Sequence, residues 1–194
     1  VMIDGSRLSL EENIRHTKEI CELAHQAEIP CEAELGAVFG HESGPLPPYD
    51  EIFESGMGFT KIDDAARFVG ETGCDWLSVA IGNIHGAISE ATKGREKPAS
   101  RLNIQHLQRL KEATGIPLVL HGGSGIPKHY IMDAIKNGIA KINVGFELRA
   151  VYEKEIVRGN VEEAREAVYE KTRVIIRDYY EISGTADIIA KYDK

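Results

Sequence analysis

Leu118-Val119-Leu120-His121-Gly122-Gly123-Ser124-Gly125 is an apolar run that ends in a histidine and passes straight into a glycine-serine-glycine turn. A run that is apolar at every residue suits a strand covered on both faces, the condition of parallel sheets flanked by helices. Gly122, Gly123 and Gly125 let backbone N–H groups converge on a guest, Ser124 adds a hydroxyl, and the helix expected next would offer its positive end. The stretch suits a metal ligand beside an anion cradle; alone, it fits a tight strand-to-helix turn as well.

The same grammar recurs along the chain. Val1-Met2-Ile3 ends in Asp4-Gly5-Ser6, Cys31-Glu32-Ala33-Glu34-Leu35-Gly36 alternates so that Glu32 and Glu34 share a face, and Trp76 to Gly82 leads into Asn83-Ile84-His85-Gly86. Ile139 to Gly145 is the fifth such run and carries Asn143 near its end. Two carboxylates turned into one core are costly unless a cation meets them, and a metal or a buried Lys or Arg would serve. Helical periodicity fills the intervals. Ser9 and Glu12 form a capping box ahead of the stripe Ile14, Ile20, Cys21, Leu23 and Ala24; further helices are expected at 61–72, 103–113 and 130–137, and from 146 onward, broken at 158–160. Residues 37–60, rich in glycine and proline, read as one long irregular segment, an active-site lid.

Five strands alternating with helices, each bearing a polar residue at its C-terminal end, predict α/β architecture of the TIM (β/α)8 type rather than an open dinucleotide-binding sheet. Five units fill only part of such a barrel. The chain, which starts on Val1 within an apolar run, is therefore expected to hold the last five β/α units plus C-terminal helices as one domain over 1–194, with three units upstream.

Composition bounds the function. The 194 residues, 42% hydrophobic and 28% charged, are ordinary for a globular protein, and the net charge of −8 argues against a nucleic-acid surface. A membrane span is not expected. Cys21, Cys31 and Cys74 are odd in number and lie in apolar stretches, so they read as buried thiols of a cytoplasmic protein rather than disulfides. His16, His25, His106 and His129 read as surface residues or satisfied caps; His41 adjoins Glu42 in the lid.

Met-Ile-Asp-Gly-Ser (2–6), Glu-Ala-Glu-Leu-Gly (32–36), Gly-His-Glu (40–42), Gly-Asn-Ile-His-Gly (82–86), His-Gly-Gly-Ser-Gly (121–125) and Lys-Ile-Asn-Val (141–144), taken together and in this order, resemble the class II, metal-dependent ketose-bisphosphate aldolases. The resemblance implies a lyase that cleaves a ketose (bis)phosphate, such as fructose 1,6-bisphosphate or tagatose 1,6-bisphosphate, to dihydroxyacetone phosphate and an aldehyde through a zinc-stabilised enediolate. It implies zinc, with a place for a second divalent or monovalent cation, and a homodimer or homotetramer working on small phosphosugars.

Residue by residue, His85 and His121 match two of that family's three zinc ligands, and Asp4 and Glu34 match carboxylates near the metal. Glu42 matches the loop carboxylate that moves the proton. Gly86, Gly122, Ser124, Gly145 and Phe146 match positions around the phosphate, and Asn143 the residue that hydrogen-bonds the substrate beside it. The family's third histidine, in a His-x-Asp-His stretch, has no counterpart here. Phe146 stands where relatives commonly carry Thr or Ser, and Glu162 lies near the place of an arginine that binds a second phosphate. The alternative reading is a non-catalytic metal- or phosphosugar-binding fragment, or a paralogue lacking the first metal ligand.

Overall fold

A computed structural model describes residues 1–40, 46–85 and 99–189. Among these, five strands form one parallel sheet in sequential order: β1 (Met2–Ile3), β2 (Glu32–Leu35), β3 (Trp76–Val79), β4 (Leu118–Leu120) and β5 (Ile139–Ile142). Sequential order with a helical crossover between parallel neighbours is the arc of a (β/α)8-type barrel, as the strand-end pattern predicts. The apolar runs explain the arrangement: Leu77, Val79, Leu118, Val119 and Leu120 are fully buried. In register, Glu32 faces Trp76 and Glu34 faces Ser78 across β2 and β3, so both carboxylates lie on one face of the sheet. An irregularity after Leu118 brings Val119 opposite Lys141.

Helix α1 (Leu10–Gln26) starts on the expected capping box, with Ser9 and Glu12 bonded reciprocally. It buries Ile14, Thr17, Cys21 and Ala24. Helices α3 (Ile62–Thr72) and α4 (Ile104–Thr114) continue the outer layer, and Phe68, Leu107 and Leu110 fill the space against the sheet. Each such side chain, fully removed from water, contributes about 1.5–3 kcal/mol. The three cysteines are buried and free, as their apolar settings imply. Helix α5 is Lys128–Lys136.

Three boundaries differ from the sequence reading. The segment 37–60 is not irregular throughout, because α2 (Tyr49–Ser55) forms within it. Pro48 enters that helix at its N-cap, Asp50 and Glu51 suit the first turn, and Gly56 ends it in the left-handed region. Composition alone hid this helix among prolines and glycines. Strand β3 stops at Val79 rather than Gly82, because the Ile81 N–H turns to the Asn83 side chain at 2.8 Å. Strand β5 likewise ends at Ile142, and Asn143 follows it.

The chain divides into two compact units, 1–144 and 145–194. The second contains α6 (Phe146–Ile156), α7 (Val161–Val174), a π-helical turn over Ile175–Tyr179 and the short α8 (Ala186–Ile189). α6 packs on α7, and Glu147 and Lys171 pair at 2.8 Å between them. Among the described residues no helix is long and apolar enough to cross a membrane.

Candidate metal and phosphate site

Parallel strands in one sheet bring all their C-terminal ends to the same edge, so Asp4, Glu34, His121 and Asn143 share that edge because of topology alone. His85 lies six positions past β3, and its loop is tied back. The Asn83 amide, itself buried, donates to the His121 carbonyl at 3.0 Å and to the Val79 carbonyl at 3.4 Å. The His85 N–H donates to the Phe39 carbonyl at 2.6 Å. A side chain on Gly40 would collide with the backbone of His85, so Gly40 lies directly on this histidine.

Glu34, His85 and His121 each offer a ligand atom, and these atoms lie within 4.8 Å of one another. Glu34 and His121 are 4% and 6% exposed, so their charges are withdrawn from water. His121 stands between two carboxylates: Nδ1 is 2.9 Å from Glu34 Oε2 and Nε2 is 3.0 Å from Glu32 Oε1. The second oxygen of Glu32 meets Lys141 Nζ at 2.6 Å. Burial alone would lower the histidine's pKa, but Glu34 and Glu32 outweigh it and hold the ring above its ordinary value.

The donor set fits a divalent cation. Two buried carboxylates face one lysine, which pairs with Glu32 and leaves Glu34 to His121 and to a cation. Imidazole nitrogen with carboxylate oxygen is a zinc-compatible combination.

The remaining expected residues are placed as follows. Asp4 is exposed and lies outside the three-residue group. Its Oδ1 accepts from the Ser6 N–H at 3.0 Å and from the Ser6 hydroxyl at 2.6 Å. Burial would raise its pKa, yet these bonds, with His121 and Arg7 nearby, hold it lower than usual. Gly122 has φ 65° and packs against the Ile84 carbonyl, leaving no room for a side chain. Ser124 is buried, and the Gly123 N–H donates to the Asn143 carbonyl at 3.0 Å, which joins the glycine turn to the end of β5. Gly145 and Phe146 open α6 in the second unit. Glu42, His41 and Gly86 lie outside the described residues. An open cleft of about 610 Å³ beside the end of β2 is lined by Ser6, Leu35, Gly36, Phe59, Thr60 and His106 among others, but, among the described residues, by none of the expected ligands.

Sequence reasoning left two residues without a role. Asn83 bridges the β3 and β4 ends; its only signal was an amide between a buried strand and a histidine. Lys141 supplies the cation that Glu32 called for, and it sat inside the Lys-Ile-Asn-Val motif.

Comparison with known proteins bears on this edge. Residues 1–189 match the family model for class II fructose-bisphosphate aldolase. A fructose-bisphosphate aldolase of Streptococcus pneumoniae is 41% identical over 177 residues, 90% of this chain and 55% of its own length. The crystal structure of the YdjI aldolase from Escherichia coli K12 superposes with a TM-score of 0.72 at 36% identity, covering 94% of this chain and 61% of that one. The fructose-bisphosphate aldolase of Campylobacter jejuni, at 20% identity and a TM-score of 0.66, shares the fold. The chain spans about half the length of the curated relatives it matches. With its motifs in order, its parallel β/α arc and a family match over nearly every residue, the chain belongs to the class II fructose-bisphosphate aldolase family.

Proposed function

We propose that this chain carries the metal- and phosphate-binding half of an aldolase active site that cleaves a ketose (bis)phosphate to dihydroxyacetone phosphate and an aldehyde. The grouping of Glu34, His85 and His121 at the ends of neighbouring strands carries the reading. His85 and His121 hold zinc, Glu34 and Asp4 serve its neighbourhood, and a second cation has these carboxylates available. A bound zinc ion supplies Lewis-acid polarisation of the substrate carbonyl.

The chain's own residues do the rest. Gly122 and Ser124 in the glycine turn hold the phosphate through backbone N–H groups and one hydroxyl, so remote binding energy orients the reacting carbons; Gly86, Gly145 and Phe146 match the family's remaining phosphate positions. Asn143, bonded through its carbonyl to that turn, positions the substrate beside the phosphate. Glu42 moves the proton at the carbon adjacent to the carbonyl. Phe146 brings no hydroxyl to the phosphate, and Glu162, which pairs with Arg165 at 2.9 Å, stands near the place where relatives carry an arginine for a second phosphate. These two residues favour a substrate whose aldehyde end is held differently from that of fructose 1,6-bisphosphate.

The test is a retro-aldol panel of ketose mono- and bisphosphates, including fructose and tagatose 1,6-bisphosphates, on the protein expressed from its full natural reading frame. Release of dihydroxyacetone phosphate is expected to stop on thorough chelation and return with zinc. Glu42→Gln is expected to lower turnover by about 10²–10⁴-fold, the usual worth of a positioned acid–base, while still binding dihydroxyacetone phosphate. Cleavage that survives chelation would refute the metal reading; unchanged turnover in the variant would remove Glu42 from its role. Zinc and phosphosugar binding without any cleavage would favour the non-catalytic alternative.

A further inference from the structure

We infer that Glu32 and Lys141 form a positioning pair that fixes His121 as its Nε2–H tautomer and thereby presents Nδ1 to the metal. The inference rests on the metal reading above. His121 has one nitrogen on each side of a choice. Nδ1 faces Glu34, a member of the three-residue group whose ligand atoms converge, at 2.9 Å. Nε2 faces Glu32, which is not in that group, at 3.0 Å. A ligating imidazole needs one nitrogen free of its proton, and a carboxylate that accepts the other N–H selects which one.

Glu32 is suited to that task and poorly suited to others. It is 3% exposed, so it is withheld from solvent, and its two oxygens are divided between two partners: Oε1 accepts from His121, Oε2 from Lys141. Lys141 holds the second oxygen of the buried carboxylate at 2.6 Å and so directs its plane, while its own ammonium remains partly solvated at 41% side-chain exposure. Register adds a constraint from the backbone. Glu32 and Glu34 occupy alternate positions of the same strand, so one strand grips both sides of the His121 ring. Free rotation of the ring would break two charge-assisted bonds at once.

The experiment is histidine-selective ¹⁵N labelling of the protein expressed from its full reading frame, with long-range ¹H–¹⁵N correlation of the zinc-loaded state. His121 is expected to carry its proton on Nε2 and none on Nδ1; a proton on Nδ1 would overturn the assignment. Chelator competition then reads zinc affinity. Glu32→Gln and Lys141→Met are expected to raise the zinc Kd by about 10–100-fold, as loss of an outer partner of a ligating histidine does, and to shift the visible bands of the cobalt-substituted protein. Lys141→Arg is expected to restore most of the affinity. Lys141 is partly exposed, so its substitution tests the pair even where Glu32→Gln fails to fold. A purely structural role would lower the melting temperature and leave Kd and tautomer unchanged, and that result refutes the positioning role. Zinc uptake with the wrong tautomer would sink this inference alone; no zinc uptake by the wild type would sink the metal reading with it.

Discussion

Thr60→Val is the cleanest probe of what holds the C-terminal edge of the sheet in place. Thr60 is 1% exposed, and its hydroxyl donates to the Leu35 carbonyl at the end of β2 while accepting from the Ala80 N–H, at 2.9 Å, just past β3. Its own backbone N–H bonds the Ala80 carbonyl and its carbonyl accepts from His106, so neither of those depends on the side chain. Valine keeps the shape and removes only the hydroxyl, leaving one buried donor and one buried acceptor without partners. At about 1–3 kcal/mol for each stranded group, the loss should total about 2–6 kcal/mol, a large share of the 5–15 kcal/mol typical of whole domains. Thr60→Ser keeps both bonds and loses one methyl, which costs about 1 kcal/mol. Urea unfolding of wild type and both variants, monitored by circular dichroism, would show the midpoint falling far more for Val than for Ser at constant slope. Equal losses, or a Val loss under about 1 kcal/mol, would mean that the hydroxyl does not link the two strand ends.

Two further outcomes follow from the site. In metal-free protein the raised pKa of His121 makes its protonated form favour the folded state. Although burial opposes it, Glu34 and Glu32 supply a stabilisation that is complete below about pH 6.5, the ring's ordinary value, and that disappears as pH climbs through the elevated folded value. Urea midpoints measured in chelator should therefore fall across that window, and a rise would refute the charge arrangement. Gly122→Ala should destabilise by about 1–3 kcal/mol from its left-handed backbone alone, with more from collision with the Ile84 carbonyl, as read by thermal melting; a neutral result would contradict the close approach of the two loops.

Much of this edge was legible in the sequence because strand ends are marked locally: an apolar run followed by His121-Gly122, or by Asp4-Gly5, needs no knowledge of the rest of the chain. Glu32 and Glu34 on one face followed from period-two alternation, as did the need for a compensating cation. Which cation was not legible. Lys141 is 109 positions from Glu32, and only the curl of the sheet brings them together. The helix α2 escaped for a different reason: its seven residues are too few for periodicity to stand out against neighbouring Pro47, Pro48, Gly56 and Gly58. Asn83 was visible as a residue but silent as a bridge, since its partner carbonyl belongs to another strand's end.

The Glu32–Lys141 bond also measures shape. β2 and β5 are three strand intervals apart, and in a flat sheet their axes would stand about 14 Å from one another. Side chains that rise roughly perpendicular to such a sheet would not meet over that span. Here they meet at 2.6 Å, so the bond is a chord drawn across the hollow side of an arc. Flattening the arc stretches the chord, and cutting the chord frees the arc to open. The bend of the sheet and the pairing of its inner charges are one mechanical variable, and whatever tightens one end of it tightens the other.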